Sequence, residues 1–251
     1  MSEEKEFHVY SAFSGVGGLG GPITSAVVIF AGYRERGGEI VEARGRLLIP
    51  GNEADYRKYS KKIKNNSVIR VLGSLDGEGD ILAAKVLKTG AKPDPAEAAF
   101  LERQAQPVSF ADGQFGVFEL NKSINSYDGQ IDILGNTVSV GFEEKEALET
   151  LREMAKDFAG LLSGAAAFAA GKLLELANTW GDDGWDEEEE GRPFTPLTEK
   201  DFTERITLME ISLWDGGEYA LWYDDGDMFW GHAVTVYGSL AEGFTDARME
   251  G

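Results

Sequence analysis

Asn136-Thr-Val-Ser-Val-Gly-Phe142 alternates apolar and polar residues and runs directly into residues 143–162, where Leu148, Leu151, Ala155, Phe158 and Leu162 recur at helical spacing. A period of two that gives way to a period near 3.6 reads as a strand feeding an amphipathic helix. Residues 165–178 repeat the helical spacing around Phe168 and Leu176, with Gly164 as the expected break between two helices. Segments rich in β-branched and aromatic residues lie on both sides of this helical pair, so the expected class is α+β.

Downstream, residues 182–190 hold seven acids in nine positions, a run that repels itself and reads as a solvated loop. Thr198, three residues before Asp201, opens a short helix through Arg205, and the chain then closes in strands. Upstream, Asp112-Gly113 and Asp128-Gly129 mark turns, and Asp94-Pro95 starts a short helix that stops by Pro107. The domain boundary is placed there.

Before it, strands are expected over residues 7–13 and 23–30, with the glycine cluster between them as the loop of a hairpin or a mobile connection, then a strand over 39–49 and a polar helix over 52–64. A hairpin follows, with arms 67–75 and 80–88 joined through Asp76-Gly77-Glu78-Gly79. The expectation is therefore a mostly-β region over residues 1–106, with a small barrel as its candidate architecture. An acidic α+β domain follows over residues 107–251, carrying the helical pair and an antiparallel C-terminal sheet.

The 251 residues include no cysteine, which excludes disulfides, thiolate nucleophiles and cysteine-based zinc sites and fits a reducing compartment. The first six residues are acidic and lead into a strand, unlike a signal peptide, and no apolar run approaches the ~20 residues of a membrane span. The expected location is cytoplasmic, with no membrane partner. The formal charge of −20 is unevenly placed. Residues 1–106 are close to neutral, whereas residues 107–251 carry nine Lys and Arg against thirty Asp and Glu. A region this negative repels phosphate backbones and attracts basic proteins.

Gly15-Val16-Gly17-Gly18-Leu19-Gly20 has the letters of a dinucleotide-binding loop, but the β-branched run that follows it is no helix to receive a phosphate, so that reading is rejected. Arg57, Lys58, Lys61, Lys62 and Lys64 could grip phosphates on a barrel of the oligonucleotide-binding kind, which is the second alternative function; a solvated helix face explains the same spacing, and no stacking aromatics interleave it. The chain has only two histidines, His8 and His232, and no nucleophile elbow, so nucleophilic catalysis has little to stand on.

The sharpest segment spans Leu221 to Tyr237, with Asp225-Gly226 as a hairpin turn between two β-like arms. Asp224, Asp225, Asp227 and His232 could together ligate a divalent cation, which makes a metal-dependent enzyme or metal sensor the first alternative. Aspartates at a turn also bond their own backbone, and that architectural explanation is preferred; no cofactor is expected. The leading expectation is a non-catalytic binding module that meets a basic protein through its acidic surface. Trp185 and Trp214 would serve as anchors, with Asp182, Asp183, Asp186 and Glu187 supplying charge.

Three strings carry a family resemblance: Asp112-Gly-x-Phe115-Gly116-x-Phe118, Leu173-Leu174-x-Leu176-Ala-Asn178-x-x-Trp180, and Tyr223-Asp-Asp-Gly-Asp-Met-Phe-Trp-Gly-His232. From about residue 108 to the end the chain resembles the bacterial domain-of-unknown-function 2262 family. The resemblance implies a bacterial α+β domain and no established activity, so it assigns no catalytic residue. Small acidic bacterial proteins of this sort are similar to immunity proteins, which neutralise a toxin by binding it; that likeness is an analogy.

Overall fold

The computed structural model describes residues 4–19, 25–182 and 195–251. The protein is α+β and divides into two compact units, Met1–Pro107 with Lys122–Ile124 and Val108–Asn121 with Asn125–Gly251.

The first unit is a closed five-stranded barrel, built from β1 (Lys5–Leu19), β2 (Ser25–Glu35), β3 (Val41–Pro50), β4 (Val68–Leu75) and β5 (Ile81–Ala91). The order around the wall is β1-β2-β3-β5-β4, with β3 parallel to β5, all other pairs antiparallel, and β1 against β4 closing the ring. This is the five-stranded barrel architecture that oligonucleotide-binding domains use. Alternation explains the wall: in β2, Ala26, Val28 and Phe30 point inward, where they meet Phe7, Val9, Leu47, Ile69, Val71 and Ile81.

Helix α1 (Glu53–Lys62) begins at Asn52, whose side chain accepts the Ala54 and Asp55 amides, and it buries no residue. Helix α2 (Pro95–Ala105) begins at Asp94 in a reciprocal capping box with Glu97, and it seats Phe100 and Leu101 against Tyr10, Val68 and Ala91. The glycine run departs from expectation. Val16, Gly17, Gly18 and Leu19 pair with Val28, Val27, Ala26 and Ser25, so these glycines extend β1 after two register shifts and do not form a connection.

The second unit is an eight-stranded sheet covered on one face by helices. Strands β6 (Ser109–Asp112), β7 (Gly116–Asn121), β8 (Ser126–Ile133) and β9 (Asn136–Phe142) form one meander. Strands β10 (Thr207–Leu213), β11 (Glu218–Asp224), β12 (Ala233–Ser239) and β13 (Gly243–Glu250) form another. A parallel β9–β10 pairing joins them in the order β13-β12-β11-β10-β9-β8-β7-β6. The C-terminal sheet is thus continuous with the strands before the helices, and it is antiparallel except at that seam.

Between the meanders lie α3 (Leu148–Met154), α4 (Phe158–Asp182) and α5 (Glu199–Arg205). The helix break falls at residues 155–157, not at Gly164. Asp157 starts α4, its carbonyl accepting the Leu161 amide at 3.0 Å and its carboxylate the Gly160 amide at 2.9 Å. Gly164 serves packing: a Cβ there would lie 3.1 Å from the Phe244 ring. Without the false break, residues 158–180 form one helix long and apolar enough, by length and composition, to cross a membrane. Here its Ala165, Ala169, Leu173 and Ala177 are buried in the core with Leu151, Phe202, Leu221 and Val236.

Candidate functional site

Strands β11 and β12 of the second unit present chemistry at both ends. At one end, residues 225–232 form a broad loop where a two-residue hairpin turn was expected. The Asp225 side chain, 2% exposed, folds back inside it. Its Oδ1 accepts the Asp227 amide at 3.2 Å, and its Oδ2 accepts the amides of Phe229 at 2.6 Å and Gly231 at 3.3 Å. Asp224 Oδ1 accepts the Gly226 amide at 2.9 Å. These bonds hold a path in which Gly226, Asp227, Trp230 and Gly231 all have positive φ.

Asp225 is therefore engaged with backbone donors, whereas Asp227 is exposed and His232 sits beside Trp180, ring centroids 5.9 Å apart. The four residues do not converge as a ligand set, and among the described residues no group of three His, Asp or Glu side chains is placed to hold a metal. The loop buries Met228 and Phe229 and turns Trp230 outward, 58% exposed and 4.9 Å from the Trp180 ring. A non-glycine residue in the left-handed region costs conformational energy, which the Asp225 bonds offset.

At the other end, Trp214 stands 41% exposed where β10 turns into β11, its amide bonded to the Glu218 carbonyl at 3.0 Å. Two open clefts share it. The first, about 330 Å³, is walled by Glu146, Glu149, Glu153 and Asp215. The second, about 310 Å³, is walled by Glu218, Tyr219, Tyr237, Glu242, Asp246 and Arg248. Several of these acids are already paired: Glu149 with Arg152, Glu153 with Lys156, and Asp246 with Arg248. Among the described residues Glu146, Asp215, Glu218 and Glu242 have no cationic partner.

The Arg248 guanidinium lies over the Tyr237 ring at 5.4 Å, and its bond to Asp246 at 2.7 Å holds that carboxyl below the usual carboxylate range. Burial raises the Tyr219 hydroxyl above the ordinary phenol value.

Of the anchors expected from sequence, Trp214 is thus exposed in an acidic setting. Trp185, Asp183, Asp186, Glu187 and the side chain of Asp182 lie outside the described residues. In the first unit, Lys61 and Lys62 on α1 and Lys64 just beyond its end are exposed without an anion partner among the described residues, while Arg57 is paired with Glu53. Sequence reasoning passed over Trp180, Trp230 and Tyr219. The two tryptophans were visible as members of the quoted strings, but their contact, fifty residues apart, carries no local signal.

Residues 112–249 match the family described as an uncharacterized protein conserved in bacteria (DUF2262). The match covers more than half of the chain, and the protein belongs to that family. No curated protein and no solved structure matches. The matched residues include both ends of the β11–β12 pair.

Proposed function

We propose that this member of the family is a non-catalytic binding protein whose second unit receives a basic protein partner at the Trp214 end of the sheet. The observation that carries the reading is Trp214 itself, a large apolar side chain left 41% exposed between two carboxylate-walled clefts. Tryptophan is a favoured interface anchor because it buries a large area with few rotatable bonds, and surrounding charge selects the partner and speeds encounter. The charge of the second region, nine cations against thirty anions, gives a long-range field of the matching sign. Toxin neutralisation is one biological setting that such a surface suits.

A hexa-arginine peptide, titrated against the full chain at rising ionic strength, tests the reading. Saturable binding that weakens with salt and falls by about tenfold or more in Trp214→Ala is expected for an anchor worth over ~1.4 kcal/mol. Binding of equal strength in Trp214→Ala would place the basic partner elsewhere and remove the basis of the proposal.

A further inference from the structure

Strand β13 ends the eight-stranded sheet, and among the described residues no strand pairs with its outer edge. An open edge offers unpaired N–H and C=O groups to any other strand, including the same strand of a second copy of the chain. The barrel of the first unit is closed, and β6, at the far end of the sheet, is only four residues long. Among the described residues the eight-residue β13 is therefore the one long edge that needs protection.

Its pairing fixes which groups point outward. Tyr237 on β12 stands opposite Asp246, and its carbonyl, which accepts the Thr245 hydroxyl at 3.3 Å, is directed at β13. In an antiparallel ladder the backbone groups of successive residues point to opposite sides. Asp246 consequently faces β12, and Ala247, next along the strand, turns its N–H to the open edge. That N–H is already taken: Asp246 Oδ1 accepts it at 2.9 Å, while Oδ2 of the same carboxylate accepts Arg248 Nε at 2.7 Å. Arg248 in turn lies over the Tyr237 ring, whose hydroxyl donates to Glu250 at 2.9 Å. Asp246 is thus held with its carboxylate over the edge, in the position that the carbonyl of an added strand would need.

We infer that Asp246, held by Arg248, is an edge guard that stops a second copy of the chain from adding to the sheet through its own β13. The pairing it prevents is two-fold symmetric: with Ala247 opposite Ala247, position 246 of each copy stands opposite position 248 of the other, and the same edge serves both. Local charge repulsion does not supply the block, because that register sets Asp246 against Arg248. The block is the occupied N–H and the bulk of the carboxylate that occupies it.

Sedimentation equilibrium of the full chain, paired with amide hydrogen exchange, tests the guard. Asp246→Ala and Asp246→Val are each expected to self-associate at least about tenfold more tightly than the wild type, with the Ala247 amide exchanging freely in the dilute monomer and protected in the dimer. Asp246→Asn keeps an acceptor for that amide, and Glu250→Gln removes the same charge from a side chain that does not hold it, so both should associate no more than the wild type. Self-association unchanged in the alanine and valine variants would overturn the inference. Asparagine and glutamine variants that associate as strongly as Asp246→Ala would also overturn it, by assigning the effect to net charge. Association that leaves the Ala247 amide unprotected would place the contact away from β13, with the same consequence.

Discussion

His8 Nδ1 lies 2.6 Å from Glu97 Oε1, linking the first strand of the barrel to the first turn of α2 across 89 positions of sequence. The same Glu97 oxygen accepts the Tyr10 hydroxyl at 3.3 Å and meets Arg34 Nη2 at 3.1 Å, while Oε2 accepts the Asp94 amide at 2.8 Å. Glu97 is 2% exposed, so this carboxylate is the hub of a buried polar cluster and its charge is balanced by Arg34. Removing Glu97 leaves Arg34 with Asp94 as its remaining anion and takes the shared acceptor away from His8 and Tyr10. Glu97→Ala is expected to cost about 3–5 kcal/mol, seen as an earlier barrel transition in urea unfolding of the full chain. A change below ~1 kcal/mol would show that Asp94 alone satisfies Arg34 and that Glu97 adds little.

The Asp112 carboxylate caps the β6–β7 turn, accepting the amides of Gln114 at 2.9 Å and Phe115 at 3.1 Å, and it is paired with Arg152 on α3. The Gln114 amide, followed by the Phe115 amide and the Arg152 charge, holds its carboxyl below the ordinary carboxylate value. With the folded value below the unfolded one, this group stabilises the fold fully above the unfolded pKa, and the contribution is lost as pH falls through the lowered value. Acid unfolding of the second unit should accordingly be less steep below ~pH 4 in Asp112→Asn than in the wild type, with the variant less stable at neutral pH. Parallel stability-versus-pH curves would assign the acid limb to other carboxylates.

The elements legible in the sequence are those whose cause is local. Asn52, Asp94 and Thr198 all cap helices, and each helix starts at the following residue. The hairpin through residues 76–79 forms because its glycines and Asp76 make a tight turn between two alternating arms. Errors arise where a residue serves a distant neighbour. Gly164 reads as a breaker but makes room for Phe244, and residues 16–19 read as a loop but pair with β2. Asp225 looks like one of three interchangeable acids, and only the fold shows that its carboxylate is spent on three backbone amides. The packing of the Tyr219 ring over Gly238 had no sequence signal at all, because it depends on strand pairing across β11 and β12.

Asp225 supplies the sharpest mutational test of the 225–232 loop. Replacement by alanine leaves the buried Phe229 amide and its neighbours without their acceptor, which should destabilise the second unit by about 3 kcal/mol. Trp230 should also lose its fixed position over Trp180, so the near-ultraviolet circular dichroism of the folded variant should weaken relative to the wild type. Asp225→Asn keeps one acceptor oxygen and should retain part of both signals. An alanine variant with native stability and an unchanged aromatic spectrum would mean that the buried Phe229 ring, rather than the carboxylate, sets the loop.

Tyr223 lies four residues beyond Tyr219 on the same face of β11, packed in the core of the second unit. Its hydroxyl is buried with no partner among the described residues, and burial raises its ionisation well above the ordinary phenol range. No cleft of the Trp214 region includes it. Deleting an unsatisfied buried hydroxyl removes a desolvation cost while the ring continues to pack, so Tyr223→Phe should stabilise the second unit by about 1 kcal/mol. Differential scanning calorimetry of the full chain measures the change. Destabilisation by Tyr223→Phe would instead show that its hydroxyl is satisfied by an ordered water and is a structural bond of the core.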